Sequence, residues 1–398
     1  MRFITGRGVG LAFAAVGLFV IGDVTRTGWV QIADSLFWGA IVMSVVVAGI
    51  SSGGLTATPR FSSRGQAVNG NAPSQGQDVE VEVEVVNRWP VPRFGVTLRY
   101  DLFVNDRMAT KDADLKVRFH LPFLAPKARV VVRGRLRTDR RGVHRLASGV
   151  AYSDAPFGLF KRSQRQSAEA AIMIVPASVE VEFAPSRLAV VGERPRPATA
   201  RVGEEVAGSR PYVMGDPGRS VHWRNSARAG RLMTKAYSAT DNESPVLIVA
   251  PGHDADREAA DERLDDRCRV AAGVALIAGR SGVPLSVQVG DGERRLSWGE
   301  TLAHLGSLTF GSMPGMADQL RRLAPNATLA VVADASDETS IATLVTEAPR
   351  FAAMEVWLLA DAGDEHDWRA NRVANALRSV GAQVSIVHRP LPAPEGAH

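Results

Sequence analysis

The chain has 398 residues, is 45% hydrophobic and contains 37 glycines and 22 prolines. That length exceeds a single core and gives two or three domains, and the composition excludes a disordered chain. The formal net charge of +5 and the lone Cys268 exclude a disulfide framework and a strongly polyanionic or polycationic chain.

The charge is unevenly spread. Residues 1–245 carry 33 Lys and Arg against 21 Asp and Glu, a net of +12, while residues 246–398 carry 14 against 21, a net of −7. The basic half points to anionic lipid as a neighbour, and nucleic acid is not expected.

In chain order, the first feature is Gly8–Gly22, an uncharged apolar run bounded by Arg7 and Asp23. It is shorter than the ~20 residues that cross hydrocarbon as a helix, unless Phe3–Gly6 extends it and Arg7 snorkels. A second run, Ser35–Leu55, is longer, with Trp29 and Trp38 near its outer end. A signal peptide would account for the first run alone, so the two read as a transmembrane hairpin joined by the loop DVTRTGWVQIAD. Arg2, Arg7, Arg60 and Arg64 flank the spans, which places both termini and the soluble domains in the cytoplasm.

Small and polar residues 57–77 read as a linker. From Asp78, DVEVEVEVVN alternates Glu with Val, a strand with one wet face. Similar strands are expected at Phe94–Val104, Lys116–Leu121, Ala128–Leu136, Val143–Tyr152 and Ala170–Val175. Together they make an antiparallel β-sandwich-like domain. The basic stretch Arg133–Arg145 reads as a solvated hairpin or a lipid-headgroup contact.

Beyond Glu243 strands and helices alternate. Strands are expected at Pro245–Ala250, Leu285–Val289, Glu293–Trp298, Thr328–Ala333, Met354–Ala360 and Val384–Val387. Helices are expected at Asp256–Gly279, Ala317–Leu323, Asp337–Glu347 and Trp368–Val380. Continuous apolar strands alternating with helices imply a mostly parallel, doubly wound sheet.

Between the two regions lies Gly208–Lys235, GSRPYVMGDPGRSVHWRNSARAGRLMTK, with five Arg, one Lys, two aromatics, four Gly and two Pro. Pro211, Gly215, Pro217 and Gly218 predict a turn-rich loop in its first half. Loops so decorated tend to carry function. The order of residues resembles the signature of a bacterial membrane-protein family, the domain of unknown function numbered fifty-eight, which usually reads R-E-Y-x-x-G-D-x-x-R-x-I-D-W-x-x-S-A-R. Arg210, Tyr212, Gly215, Asp216, Arg219, Trp223, Ser226, Ala227 and Arg228 match it, and Pro211 and His222 replace two acidic positions. Arg140-Arg141-Gly142 and the segment from Asp154 to Phe160 are similar to two further family motifs. The resemblance implies a von Willebrand factor A-like domain at 245–390. It also implies an association with a MoxR-type AAA+ ATPase and an assembly role towards envelope client proteins.

The expected architecture is thus an α+β multidomain chain. It comprises a transmembrane hairpin at 1–56, a linker at 57–77, the β-sandwich-like domain at 78–185, a connector at 186–244, the α/β domain at 245–390 and a loose tail at 391–398. No metal or cofactor is expected. The Asp-x-Ser-x-Ser metal loop of such α/β domains would fall after the first strand, where Ala250 and Gly252 stand, leaving only Asp334 with Ser336 nearby. Asp216, His222 and Ser226 invite a triad, but no spacing enforces its geometry and there is no Gly-x-Ser-x-Gly elbow. The signature residues Arg210, Tyr212, Gly215, Asp216, Arg219, His222, Trp223, Ser226 and Arg228 either pack the two domains together or form a docking surface. The expectation is a non-enzymatic, two-pass inner-membrane adaptor. The alternatives are a metal-dependent ligand-binding domain and a hydrolase centred on Ser226 and His222.

Overall fold

Alternation of Glu and Val sets the first sheet. In β2 (Asp78–Asn87) Val79, Val81, Val83 and Val85 point inward and are at most 2% exposed, while Glu80, Glu82 and Glu84 point out. The computed structural model describes residues 4–52, 54–62, 72–105, 107–108, 117–182, 206–211, 223–237, 244–252, 257–289 and 292–392. It falls into two units. One comprises Met1–Ala177, Leu302–Thr309 and Pro392–His398; the other comprises Ser178–Thr301 and Phe310–Leu391.

In the first unit β2 lies between β1 (Leu55–Ser62) and β6 (Arg129–Arg137), all antiparallel. A second sheet contains β3 (Arg93–Val104), β4 (Arg107–Met108), β5 (Val117–Leu124), β7 (Gly142–Ser153), β8 (Arg162–Gln166) and β9 (Ala170–Ile174). Leu55, Val81, Val83 and Val85 of the first sheet share one core with Leu98, Tyr100, Leu121 and Leu146 of the second, so the two pack face to face as a sandwich. The expected linker over 57–77 therefore gives way at its start, because β1 pairs with β2 from Leu55 to Ser62. The Asp154–Phe160 segment directly follows the strand that Gly142 opens.

Two apolar helices precede the sandwich. α1 (Gly6–Thr25) and α2 (Gly28–Ser52) are long and apolar enough to cross a membrane. The helical pattern runs past Asp23 and starts again at Gly28, so the expected loop of twelve residues shrinks to Arg26, in the left-handed region, and Thr27. Thr5 caps α1: its Oγ1 accepts from Gly8 N at 3.1 Å and donates to Gly158 O at 2.7 Å.

The second unit is built on a six-stranded sheet of order β14-β13-β12-β15-β16-β17. Its strands are β12 (Val246–Val249), β13 (Ser286–Val289), β14 (Gly292–Arg295), β15 (Thr328–Asp334), β16 (Ala353–Asp361) and β17 (Gln383–Arg389). All are parallel except β14. In order of appearance this is 3-2-1-4-5-6, the doubly wound arrangement whose strand order reverses between β12 and β15. Val246, Ile248, Leu329, Val331, Val356 and Leu358 form the sheet's share of a core covered by helices. α4 (Arg257–Arg280), α6 (Met316–Arg321), α7 (Glu338–Glu347) and α8 (Asp364–Ser379) match the expected helices. α5 (Trp298–Ser307) and β8 were not expected.

The second unit begins at Ser178, ahead of the boundary expected at 185. Residues 178–182 group with the α/β unit, where Val179 N donates to Arg269 O at 3.4 Å and Trp357 Nε1 donates to Glu182 O at 3.2 Å. Leu302–Thr309 group with the sandwich, so the α/β unit is not a continuous segment.

Candidate functional site

Doubly wound sheets bind ligands outside the carboxyl ends of their strands, at the point where the order reverses. Here β15 ends on Asp334, β16 on Asp361 and β17 on Arg389, and the register sets Asp361 opposite Arg389. α4 supplies Arg263 and Arg267, four residues apart and hence on one face, together with Asp266.

Arg389 is the hub. Its Nη2 donates to Asp334 Oδ2 at 2.6 Å, its Nε to Asp266 Oδ2 at 2.8 Å and its Nη1 to Asp361 Oδ1 at 3.2 Å. The other Asp334 oxygen accepts from Ser336 N at 3.0 Å and Ser336 Oγ at 2.7 Å. Arg263 Nη1 donates to Ser336 Oγ at 2.5 Å and lies 3.7 Å from Asp334 Oδ1. Arg267, 2% exposed, donates from Nη2 to Pro251 O at 3.1 Å and holds Nη1 3.9 Å from Asp334 Oδ2. Gly252 is required here. Its φ is +77°, and a Cβ would stand 2.5 Å from Arg267 Nη2.

Burial pushes the Asp334 carboxyl up, but Arg389 and the two Ser336 donors outweigh it and hold the group below the usual aspartate range. Burial lowers the Arg389 pKa, yet Asp334 and Asp266 leave it raised on balance. For Arg267 burial prevails over Asp334, and its pKa is lowered.

Gly252 thus stands beside the Arg267 guanidinium, and the positive charge next to Asp334 comes from arginine. Among the described residues no three His, Cys, Asp or Glu are grouped to hold a metal ion. Ser336 is engaged on both sides of its hydroxyl, which donates to Asp334 and accepts from Arg263.

The described residues of the signature segment fall mostly in regular elements, and the turn-rich loop expected around Gly215, Pro217 and Gly218 lies outside them. β10 (Val206–Pro211) and β11 (Met233–Tyr237) form an antiparallel pair, with α3 (Trp223–Ala229) between them. Arg210 lies in β10, opposite Thr234. Trp223 opens α3 and is 70% exposed, and Arg228 is exposed in its last turn. Ser226 is buried: its Oγ accepts from Met233 N at 2.8 Å and donates to Met233 O at 3.3 Å, tying α3 to β11. Tyr212, Gly215, Asp216, Arg219 and His222 lie outside the described residues.

No protein-family model matches the chain, and no curated protein matches it. Solved structures resemble it in part. A CARDB domain from Pyrococcus furiosus, in complex with di-metal ions, is 14% identical over 31% of this chain and 90% of its own, with a TM-score of 0.18. The ApaA protein of Bordetella pertussis is 16% identical over 30% and 91%, with a TM-score of 0.19. The exo-β-N-acetylglucosaminidase of Vibrio harveyi is 10% identical over 84% and 75%, with a TM-score of 0.22. At these scores the likenesses say nothing of activity.

Sequence reasoning singled out Asp334 and Ser336 but missed Arg263, Arg267 and Arg389. The only available signal was two arginines four apart inside DERLDDRCR, facing the carboxyl ends of the strands.

Proposed function

We propose that the chain is a membrane-anchored, non-enzymatic adaptor whose signature segment docks a MoxR-type AAA+ ATPase and brings it to envelope client proteins. α1 and α2 anchor it in the inner membrane with the soluble units in the cytoplasm, and the α/β unit is von Willebrand A-like. The observation that carries the reading is Trp223. An indole left 70% exposed beside exposed Arg224 and Arg228 favours docking over internal packing, since Trp and Arg dominate interface hot spots. The strand order supports the α/β assignment, and the arginine-caged Asp334 supports an ion-pair role there over metal binding. The Ser226 hydroxyl, engaged with the backbone of Met233, supports a structural role over a nucleophilic one.

Capture of the ATPase from detergent-solubilised membranes tests this. Trp223→Ala should keep the thermal unfolding profile of the parent and lose about thirtyfold or more in capture, the ~2 kcal/mol or more of a hot spot. Folded variants Trp223→Ala and Arg228→Ala that both capture the ATPase as the parent does would overturn the docking role.

A further inference from the structure

One end of the β-sandwich is chemically unlike the rest. There β1 starts at Leu55 opposite the end of β2 at Asn87, and β3 starts at Arg93 opposite the end of β5 at Leu124. β7 ends at Ser153 opposite Arg162, where β8 begins. Arg93 Nε donates to Asn87 Oδ1 at 3.1 Å and Asn87 Nδ2 donates to Ala125 O at 3.0 Å, so the two sheets meet at this end.

Trp89, Phe94, Phe123 and Phe157 lie there, 43%, 41%, 55% and 54% exposed. Among the described residues every large aromatic side chain that the sandwich exposes is in this group. Phe94 and Phe123 pack on each other with centroids 5.5 Å apart. Four exposed rings on one end are costly in water and need a cover.

The helices point to what covers them. Thr5 N, just before α1, donates to Leu159 O at 3.0 Å, and Phe94 N donates to Ser51 Oγ, in the last turn of α2, at 3.2 Å. Both helices therefore meet the sandwich at the aromatic end. Around the rings stand Arg88, Lys127, Lys161 and Arg162, all exposed, with Asp154 as the nearby exposed acid. Beneath Trp89 lies Arg93, 0% exposed, 4.6 Å from the ring centroid, with neither Nη atom hydrogen-bonded. The end is both aromatic and positive.

We infer that this end of the sandwich is a bilayer-contacting face. Trp89, Phe94, Phe123 and Phe157 enter the interfacial layer of the leaflet, and Arg88, Lys127, Lys161 and Arg162 hold anionic phospholipid headgroups. The inference rests on the reading that α1 and α2 cross a membrane. It adds that the sandwich sits on the bilayer instead of hanging from it on a tether.

The test uses the full chain in nanodiscs of phosphatidylcholine, with or without phosphatidylglycerol, keeping the buried native Cys268. Single cysteines replace Phe123, Phe157, Val42 in mid-α2 and Arg137 at the far end of β6, and each carries a fluorophore. Nitroxide lipids labelled at the headgroup or in mid-acyl chain then quench it. Labels at 123 and 157 should be quenched by the headgroup nitroxide, the label at 42 by the acyl nitroxide, and the label at 137 by neither. Phosphatidylglycerol should raise quenching at 123 by about twofold. Quenching at 42 with 123 and 157 no different from 137 would overturn the face and leave the spans standing. No acyl quenching at 42 would overturn the spans and the face together. Quenching at 123 indifferent to phosphatidylglycerol would overturn the anionic-headgroup contact.

Discussion

Asp334 sits among three guanidinium groups, and its ionisation sets an acid limit on the α/β unit. Because its folded pKa is depressed, it stabilises the fold fully above the ordinary aspartate value of about 3.9, and that contribution is lost as pH falls through the lower folded value. Urea unfolding of the parent should therefore weaken from about pH 4 downward. Asp334→Asn leaves Arg267 buried beside a neutral group. We expect it to cost about 3 kcal/mol at neutral pH and to flatten the acid dependence. An unchanged pH profile in that variant would show that another carboxylate sets the limit. Ser226→Ala leaves the Met233 N–H without its acceptor and should cost about 1 kcal/mol by thermal unfolding, with capture of the ATPase retained. Loss of a hydrolytic activity without loss of stability would favour the nucleophile reading instead. The carboxylate at Asp334 was legible in the sequence as a late acid after an apolar strand. Its partners were not, since arginines four apart on an acidic helix read equally well as a solvated face.

At the scale of elements, α4 carries a glycine that propensity alone would replace. Gly→Ala inside a helix ordinarily gains about 1 kcal/mol. At Gly273 the added Cβ would lie 2.0 Å from Val179 O, a backbone atom that side-chain rearrangement cannot clear. Gly273→Ala should therefore destabilise by about 1–3 kcal/mol in denaturant titration, the cost of overpacking. A stabilised variant would mean that residues 178–182 do not pack on α4. The regular elements were largely readable from period, as the valines of β2 and the apolar runs of β12 and β15 show. Two misses have physical reasons. β1 holds Pro59, which demotes a strand reading, and it is tolerated because β1 is an edge strand. β8 reads RSQRQ, with no apolar face, and is specified by its ladder to β7.

For the whole molecule, the asymmetry between a basic front half and an acidic back half joins a helical hairpin, a sandwich with an aromatic end and an α/β unit. A reporter fused after His398 should be active only as a cytoplasmic probe, because the cations flanking α1 and α2 exceed those in the turn between them. An external C-terminus would reverse the topology and remove a cytoplasmic ATPase as partner. The unit boundaries were poorly legible. Residues 302–309 group with the first unit although the chain on both sides of them belongs to the second, because grouping follows packing and not chain order.

By itself the sequence determined the two apolar helices, the period-2 sandwich strands, the alternating α/β rhythm and the signature that carries the family resemblance. These are local properties, written in hydropathy and spacing. Only the tertiary structure decided that Arg389 and Arg267 neutralise Asp334, that Trp223 stands exposed while Ser226 is buried, and that four aromatic rings share one end with the helix termini. The Asp334 cage and the aromatic end depend on which strand lies beside which, and strand order is fixed by long-range packing that no local window contains.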